Sequence, residues 1–189
     1  MNETITSILE RRSIRKYKAD PVPAELLDTL VECGKFAATA RGVQPWHFAV
    51  VTNTELLDRI AKANKDFILS LPDGAMTAMA KNPDFHNFYH APAAIIISGE
   101  TSESAQEYVI ADCANAAQNI CVAAHSLGLG TCYIASFKFC LSSPLGDFMY
   151  DALKLPKGYR PMFAVAVGYP DEEPQGRMPR REGIVSYID

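Results

Sequence analysis

The 189-residue sequence lacks the features that would place it in a membrane or on nucleic acid. It has no apolar run approaching the roughly 20 residues that a membrane-spanning helix needs. It has no excess of positive charge, because 18 basic residues face 22 acidic ones and leave a net charge of -4. Domains that bind nucleic acid are usually basic. We therefore expect neither a membrane nor a nucleic acid as partner.

Paired cysteines are also lacking. The five cysteines form no C-x-x-C motif, and their odd number leaves one over from any pairing scheme. The polar N-terminal segment MNETITSILE does not have the composition of a signal peptide. These features are typical of a reducing compartment, and they predict a cytoplasmic protein.

The common nucleotide-binding motifs are missing. There is no Walker A sequence and no G-x-G-x-x-G, because Gly128-Leu129-Gly130 lacks the third glycine and precedes a predicted strand rather than following one. A helix end followed by a turn explains these glycines better. A bound nucleotide must therefore be held in some other way.

No metal site or catalytic side chain stands out. His86 and His90 are four residues apart with Asp84 nearby, but zinc needs three or four ligands and no further motif supplies them. Cys132 follows a glycine turn, which predicts a more accessible thiol, yet no histidine or arginine adjoins it in sequence to lower its pKa. The sequence thus predicts no metal and no catalytic residue.

Arginine is concentrated in two short windows, Arg11-Arg12-Ser13-Ile14-Arg15 near one terminus and residues 177–181 near the other. The planar guanidinium group matches phosphate oxygens, and a hydroxyl such as that of Ser13 adds a small donor. Either window alone is explained as solvated surface. Two windows in an acidic chain favour a bound anion, and their small size suits a single phosphate better than a polyanion.

A loop of small residues at 38–42 leads into Gln44-Pro45-Trp46, which contains the only tryptophan. Small side chains let a backbone lie against a flat ligand while its amides bond to the ligand's edges. Folding alone explains Trp46 equally well as a core residue. The loop is therefore a candidate ligand contact.

Hydrophobic periodicity predicts a single α+β domain over residues 1–189. Helices are expected from Asn2 or Thr4 to the first arginines, around Leu26–Val31, over 54–63 and over 104–127, with strands at 46–51, 93–97, 130–134 and 161–167. The long helix looks apolar all round in its middle, so it is expected to be central. Residues 64–90 are the least regular part.

Taken together, these segments resemble the FMN-dependent nitroreductase family. The resemblance runs from about residue 7 to 187 and rests on RRSIRKY (11–17), QPWHF (44–48), LGLGTCYI (127–134), VGYP (167–170) and PRR (179–181). It implies an α+β fold with a central, mostly antiparallel sheet flanked by helices. It also implies an intertwined homodimer with one FMN at each end of the interface.

The resemblance also assigns roles to residues. The phosphate and ribityl chain of FMN would be bound by Arg11, Arg12, Ser13, Arg180 and Arg181. Arg15 would reach the N1/O2 edge of the flavin. The loop would reach the cofactor of the other subunit through Ala38, Thr39, Ala40, Gly42 and Gln44. Backbone amides near Ala135 and Ser136 would face N5 and O4, although an acidic residue and a glycine are frequent in the family at these two positions, and an asparagine is common at position 42.

The implied activity is an FMN-dependent oxidoreductase. NADH or NADPH would deliver a hydride through flavin N5 to a nitroaromatic or quinone, in a ping-pong mechanism. Residues 64–90 would be a variable cap over the flavin, and the sequence leaves open whether its aromatic residues and Tyr133 line the pocket or the core: Phe67, Phe85, Phe88 and Tyr89. The alternatives are a reductive dehalogenase or flavin-cleaving enzyme of the same fold, a non-enzymatic FMN-binding regulatory protein, and a phosphate-binding domain without flavin.

Overall fold

The computed structural model describes residues 2–101, 106–174 and 176–188, with residues 106 and 107 described through their backbone only. The elements follow in chain order: α1 (Glu3–Glu10), α2 (Ala24–Lys35), β1 (Trp46–Val51), α3 (Thr54–Leu69), α4 (Ala75–Ala80), β2 (Ala93–Glu100), α5 (Gln106–Ser126), β3 (Gly130–Ile134), α6 (Phe148–Ala152) and β4 (Tyr159–Gly168). Short 3-10 turns lie at Ala40–Gly42, Ser136–Ser142 and Pro144–Gly146.

The four strands form one antiparallel sheet in the order β1-β2-β4-β3. This arrangement confirms the predicted α+β fold with an antiparallel sheet. The two central strands are buried on both faces, which explains the nearly continuous apolar run of β2. One hydrophobic core lies between the sheet and α3 with the turns after β3, and a second lies between the sheet and helices α2 and α5.

Helix α5 is central, as predicted, and it packs on α2 and on all four strands. Val109, Cys113 and Ile120 of this helix are buried, whereas the large apolar side chains of Tyr108 and Ile110 are more than half exposed in the single chain. The predicted residues 104 and 105 lie outside the described part of the chain. Among the described helices, none is long and apolar enough to cross a membrane.

Helix α1 begins where the sequence predicts, because the Asn2 side chain accepts a hydrogen bond from the Ile5 N–H at 3.0 Å. Helix α3 continues to Leu69, beyond the predicted end at residue 63. Asn64 interrupts its apolar pattern but is fully buried, and Ile68 extends the buried face one turn further. The predicted irregular segment 64–90 therefore starts with a helical turn, and it also contains α4.

Candidate functional site

The first arginine window lies between the end of α1 and the edge strand β3. After α1 the chain runs alongside β3, where Ser13 forms a parallel bridge with Thr131 and the Ile14 N–H donates to the Thr131 carbonyl at 2.9 Å. Gly130 permits this approach, because a Cβ there would lie 2.9 Å from Ile14 Cγ1. Backbone pairing thus fixes residues 11–15 at one rim of the sheet.

The C-terminal tail returns to the same rim. The Lys18 N–H donates to the Tyr169 carbonyl at 2.9 Å, and Tyr17 forms a bridge with Pro170. Lys16 forms a surface ion pair with Asp171 at 2.9 Å. The tail residues that follow, including Arg177 and Arg180, are thereby led towards the first window.

Positive charge is concentrated here, although the carboxylates of Glu10, Glu172 and Glu173 border the same cavities. The pKa of Arg12 is lowered, first by desolvation and then by the neighbouring charges of Arg177, Arg11 and Arg180. The Nε atom of Arg11 is buried and has no hydrogen-bond partner among the described residues. A buried guanidinium nitrogen without an acceptor is unfavourable unless a ligand supplies one. This position is therefore suited to an anion.

Arg12 is less available to a ligand than the sequence predicts. Its Nη1 donates to the carbonyls of Leu9, Glu10 and Arg11 at 3.1, 2.7 and 2.9 Å. These are C-terminal carbonyls of α1, which lack partners within the helix. One nitrogen of Arg12 is thus used to stabilise a helix end, and the rest of the side chain borders the cavities.

Two cavities meet at Arg12. One, of about 270 Å³, is bordered by Arg11 and by the end of α5 at His125, and the other, of about 370 Å³, is bordered by Ser13 and Arg15. The structure thus brings together Arg11, Arg12, Ser13, Arg15 and Arg180. Arg181 lies exposed in the tail. Arg177 was missed by the sequence prediction, although it belongs to the same basic window.

Arg15 connects these cavities to the segment before β2. Its guanidinium carbon lies 5.8 Å from the ring centroid of Tyr89. The pKa of Arg15 is raised, chiefly by a hydrogen bond with the Tyr89 side chain. The Arg15 backbone N–H donates to the Glu172 carboxylate, which fixes the main chain at this point.

Cys132 lies beside Arg15 but is only 4% exposed, so the prediction of a more accessible thiol is wrong. Burial raises its pKa, and the nearby Arg15 charge opposes this effect only in part. A thiol in this state is a poor nucleophile. We assign Cys132 to the floor of the site.

A third cavity, of about 570 Å³, lies over the segment between α4 and β2. It is lined by Ala78, Met79, Asn82, Asp84, Phe85, His86, Asn87, Tyr89 and Ser136. The open question about the aromatic residues is thereby answered in part. Phe85 and Tyr89 line this cavity, Phe88 is fully buried, and Phe67 packs against the core beside it. Tyr133 packs against Phe163 with ring centroids 5.1 Å apart.

A buried polar network joins this segment to the turn after β3. Asn64 Nδ2 donates to Asn87 Oδ1 at 3.0 Å and to the Ser136 carbonyl at 2.9 Å. Asn87 Nδ2 donates to Ser136 Oγ at 3.3 Å. The network holds Ala135 and Ser136 at the edge of the third cavity. Sequence reasoning missed both asparagines, and only their polarity beside apolar neighbours was a signal.

The loop at 38–44 is held by polar residues of α5. Asp112 is buried and accepts a hydrogen bond from the Ala40 N–H at 3.1 Å, and Asn115 Nδ2 donates to the Ala38 carbonyl at 3.3 Å. The Gln44 N–H donates to Thr39 Oγ1 at 3.4 Å. The backbone is left-handed at Arg41, Gly42 and Gln44, so the loop has a defined shape. The sequence signal for this role of Asp112 was a carboxylate among the apolar residues of the helix, because a buried charge requires a partner.

The histidine pair lies beside Asp58 of α3, a residue that the sequence pattern did not single out. Ligand atoms of Asp58, His86 and His90 lie within 4.8 Å of one another. However, Nδ1 of His86 accepts hydrogen bonds from the backbone amides of Phe88 and His90, at 3.2 and 3.3 Å. The neutral ring therefore carries its proton on Nε2, the atom that faces Asp58. A metal would have to displace that proton, so the geometry favours a hydrogen-bonded pair.

Fold and cavities together define an α+β domain with a cluster of arginines beside an aromatic-lined cavity. Residues 8–169 match the Nitroreductase family, and the chain belongs to this oxidoreductase family, as the sequence predicts. It is 33% identical to the FMN reductase (NADPH) of Bacillus subtilis, over 95% of this chain and 70% of that protein.

Solved structures support the same assignment. A nitroreductase with bound FMN from Bacteroides fragilis has a TM-score of 0.90 and 26% identity, with both chains covered completely. A nitroreductase with bound FMN from Desulfitobacterium hafniense has a TM-score of 0.92 and 25% identity, again over both complete chains. The agreement in fold therefore extends over the whole domain.

Proposed function

We propose that this chain binds FMN and acts as an NAD(P)H-dependent oxidoreductase on a flat aromatic acceptor, a nitroaromatic or a quinone. The observation that carries the proposal is the buried, unpartnered Nε of Arg11 among three further guanidinium groups. A phosphate monoester offers several strong acceptor oxygens and close to two negative charges. It would satisfy Arg11 and relieve the repulsion between the arginines.

The remaining residues fit the other parts of FMN. Arg15 borders the cavity at Ser13, and its guanidinium carbon lies 5.8 Å from the ring centroid of Tyr89, which borders the third cavity. We assign the ribityl chain to the first of these cavities and the flavin ring to the region between Arg15 and Ser136. Solved relatives of the family carry FMN, which supports this assignment.

The chemistry that FMN supplies when bound is hydride transfer between NAD(P)H and the acceptor. The protein's own residues provide position and charge. Arg15 keeps a positive charge at the proposed ring edge, where negative charge develops on reduction. Phe85 and Tyr89 supply apolar faces for a planar substrate, and no side chain is required as acid or base. Related proteins named for NADPH-dependent flavin reduction support this reaction class.

Purified protein is expected to be yellow and to contain about one FMN per chain. It should consume NADH or NADPH steadily when a quinone is supplied, because one site would serve both substrates in turn. Initial rates at several quinone concentrations should give parallel double-reciprocal lines. A colourless preparation that also fails to quench FMN fluorescence would refute the proposal. If the protein binds FMN but does not turn over, it is instead a non-enzymatic FMN-binding protein.

We further propose that the chain is a homodimer in which the loop at 38–44 completes the partner's site. Asp112, which anchors the loop, and His125, which borders the Arg11 cavity, are about 20 Å apart along α5 at about 1.5 Å per residue. The loop therefore lies far from the arginines of its own chain. Large apolar side chains are exposed on α1, after α2 and in the tail, among them Phe36, which is 79% exposed. Burying such a surface favours association.

Light scattering is expected to give about twice the chain mass of 20.7 kDa.

A sharper check mixes two defective chains, Arg11→Ala and Gly42→Val. Gly42 has φ +69°, a conformation that a β-branched residue disfavours, so Gly42→Val should distort the loop. Each homodimer should bind FMN weakly. The mixed dimer should regain one good site, formed by the intact arginines of one chain and the intact loop of the other. No recovery in the mixed dimer would contradict the shared site.

A further inference from the structure

His86 lies at the start of the turn that leads into β2, and its role there is unusual. Its side chain is only 9% exposed. Nδ1 accepts two backbone N–H groups, from Phe88 at 3.2 Å and from His90 at 3.3 Å. Nε2 faces Asp58 Oδ1 of α3 at 3.1 Å. The His86 imidazole therefore links the turn to α3, and it also occupies the inner face of the turn.

The turn that His86 holds has a strained backbone conformation at two residues. Tyr89 and His90 have φ values of 54° and 53°, in the left-handed region that side chains other than glycine adopt only with strain. Two main-chain bonds close the turn, from the Tyr89 N–H to the His86 carbonyl and from the Ala91 N–H to the Phe88 carbonyl. Such a conformation persists only when its surroundings determine it. The Nδ1 acceptor supplies two of the determining contacts.

The strained residue is also the one that meets Arg15. The Arg15 guanidinium carbon lies 5.8 Å from the centroid of the Tyr89 ring, and interaction with the Tyr89 side chain raises the pKa of Arg15. A change in the backbone at Tyr89 therefore moves the partner of Arg15.

We infer that His86 is a positioning residue for the redox site: its unprotonated Nδ1 holds the turn 86–90 and thereby places Tyr89 against Arg15. The redox part of this inference rests on the proposed function, whereas the hydrogen bonding of His86 does not. Protonation of Nδ1 would point an N–H at two other N–H groups, so the turn would lose both contacts.

Two charged groups act on the His86 ring, Asp58 from α3 and His90 from its own turn, whose ring stacks on it at 4.0 Å. Burial and the charge of His90 lower the pKa of His86 below its ordinary value of 6.5, and Asp58 opposes this. The unfolded chain therefore binds the proton at higher pH than the folded one. The contribution of His86 is fully present above about pH 6.5 and is lost as the pH falls through the lower folded pKa.

A pair of substitutions separates the two ring nitrogens. His86→Asn places an amide oxygen near the Nδ1 position, so the side chain still accepts the two backbone N–H groups and cannot be protonated at low pH. His86→Gln places its side-chain amide towards Asp58 and loses the inner acceptor. In ¹⁵N NMR at pH 7.5, wild-type Nδ1 should have the shift of an unprotonated nitrogen and Nε2 that of a protonated one. The reverse pattern would overturn the inference without reference to FMN.

The second measurement is the flavin midpoint potential from pH 8 to pH 5. His86→Asn should match the wild type at pH 8 and exceed it increasingly as the pH falls through the lowered pKa of His86, where only the wild type loses the acceptor. His86→Gln should lower the potential over the whole range, by less than Arg15→Gln, because Arg15 keeps its charge and loses only the fixed position of Tyr89. Equal potentials in the Asn and Gln variants would overturn the positioning role. If no FMN binds, the proposed function fails, and the NMR result alone decides whether His86 holds the turn.

Discussion

Arg11→Ala should weaken FMN binding roughly 10- to 150-fold, which corresponds to about 1.5–3 kcal/mol for a lost hydrogen bond to a charged group. The effect is large because Arg11 Nε is buried without a partner in the described structure, so a phosphate is the acceptor that it lacks. Arg180→Ala should act in the same direction, since its charge adds to the same cluster. Fluorescence titration with FMN measures both affinities.

Arg59→Ala is the matched control for this experiment. It removes the same charge, but Arg59 lies over the ring of Phe148, 3.9 Å from its centroid, where α3 meets α6. Its FMN affinity should stay close to that of the wild type. The flavin midpoint potential should also stay unchanged in Arg11→Ala, because the phosphate keeps its charge in both redox states. Equal losses of affinity in the Arg11 and Arg59 variants would show that the phosphate is not bound at Arg11.

Much of the fold could be predicted from the sequence, because individual residues and short runs of one residue type determine where its elements lie. The apolar run at Ala93–Ile97 requires a buried strand, and the Asn2 cap starts α1. The errors lie where tertiary contacts override a local signal. The predicted strand ends at residue 97, yet β2 continues to Glu100, because Gly99 leaves room for Val109 of α5, where a Cβ would meet the Val109 side chain at 2.4 Å.

The candidate site divides in the same way. The arginine windows could be found from the sequence, because charge and the hydroxyl of Ser13 are local properties. The network of Asn64, Asn87 and Ser136 could not, since it joins positions far apart in sequence. The contact between Tyr89 and Arg15 could not be predicted either, because it depends on a left-handed backbone that no residue type indicates. The metal alternative for His86 was weak in sequence, and the hydrogen bonds to Nδ1 weaken it further.

Arg15→Gln should separate redox chemistry from binding. Glutamine keeps hydrogen-bond donors and removes the charge, so oxidised FMN should bind almost as tightly as in the wild type. The reduced flavin carries additional negative charge near N1, and it would lose about 1.5–3 kcal/mol of stabilisation. For a two-electron couple this lowers the midpoint potential by roughly 30–65 mV. Hydride uptake from NAD(P)H should slow accordingly, and potentiometric titration with stopped-flow reduction measures both effects.

Tyr89→Phe tests the role of the Arg15 charge by changing the partner of Arg15 rather than Arg15 itself. The change removes the Tyr89 hydroxyl, whose interaction with Arg15 raises the pKa of Arg15, and keeps the ring beside the guanidinium group. Since Arg15 stays charged but loses a fixed position, the potential should fall in the same direction and by less than in Arg15→Gln. The double variant should add little to Arg15→Gln alone, because both changes act through one interaction. If Arg15→Gln leaves the potential unchanged while Arg11→Ala lowers it, the assignment of Arg15 to the ring edge and of Arg11 to the phosphate is wrong.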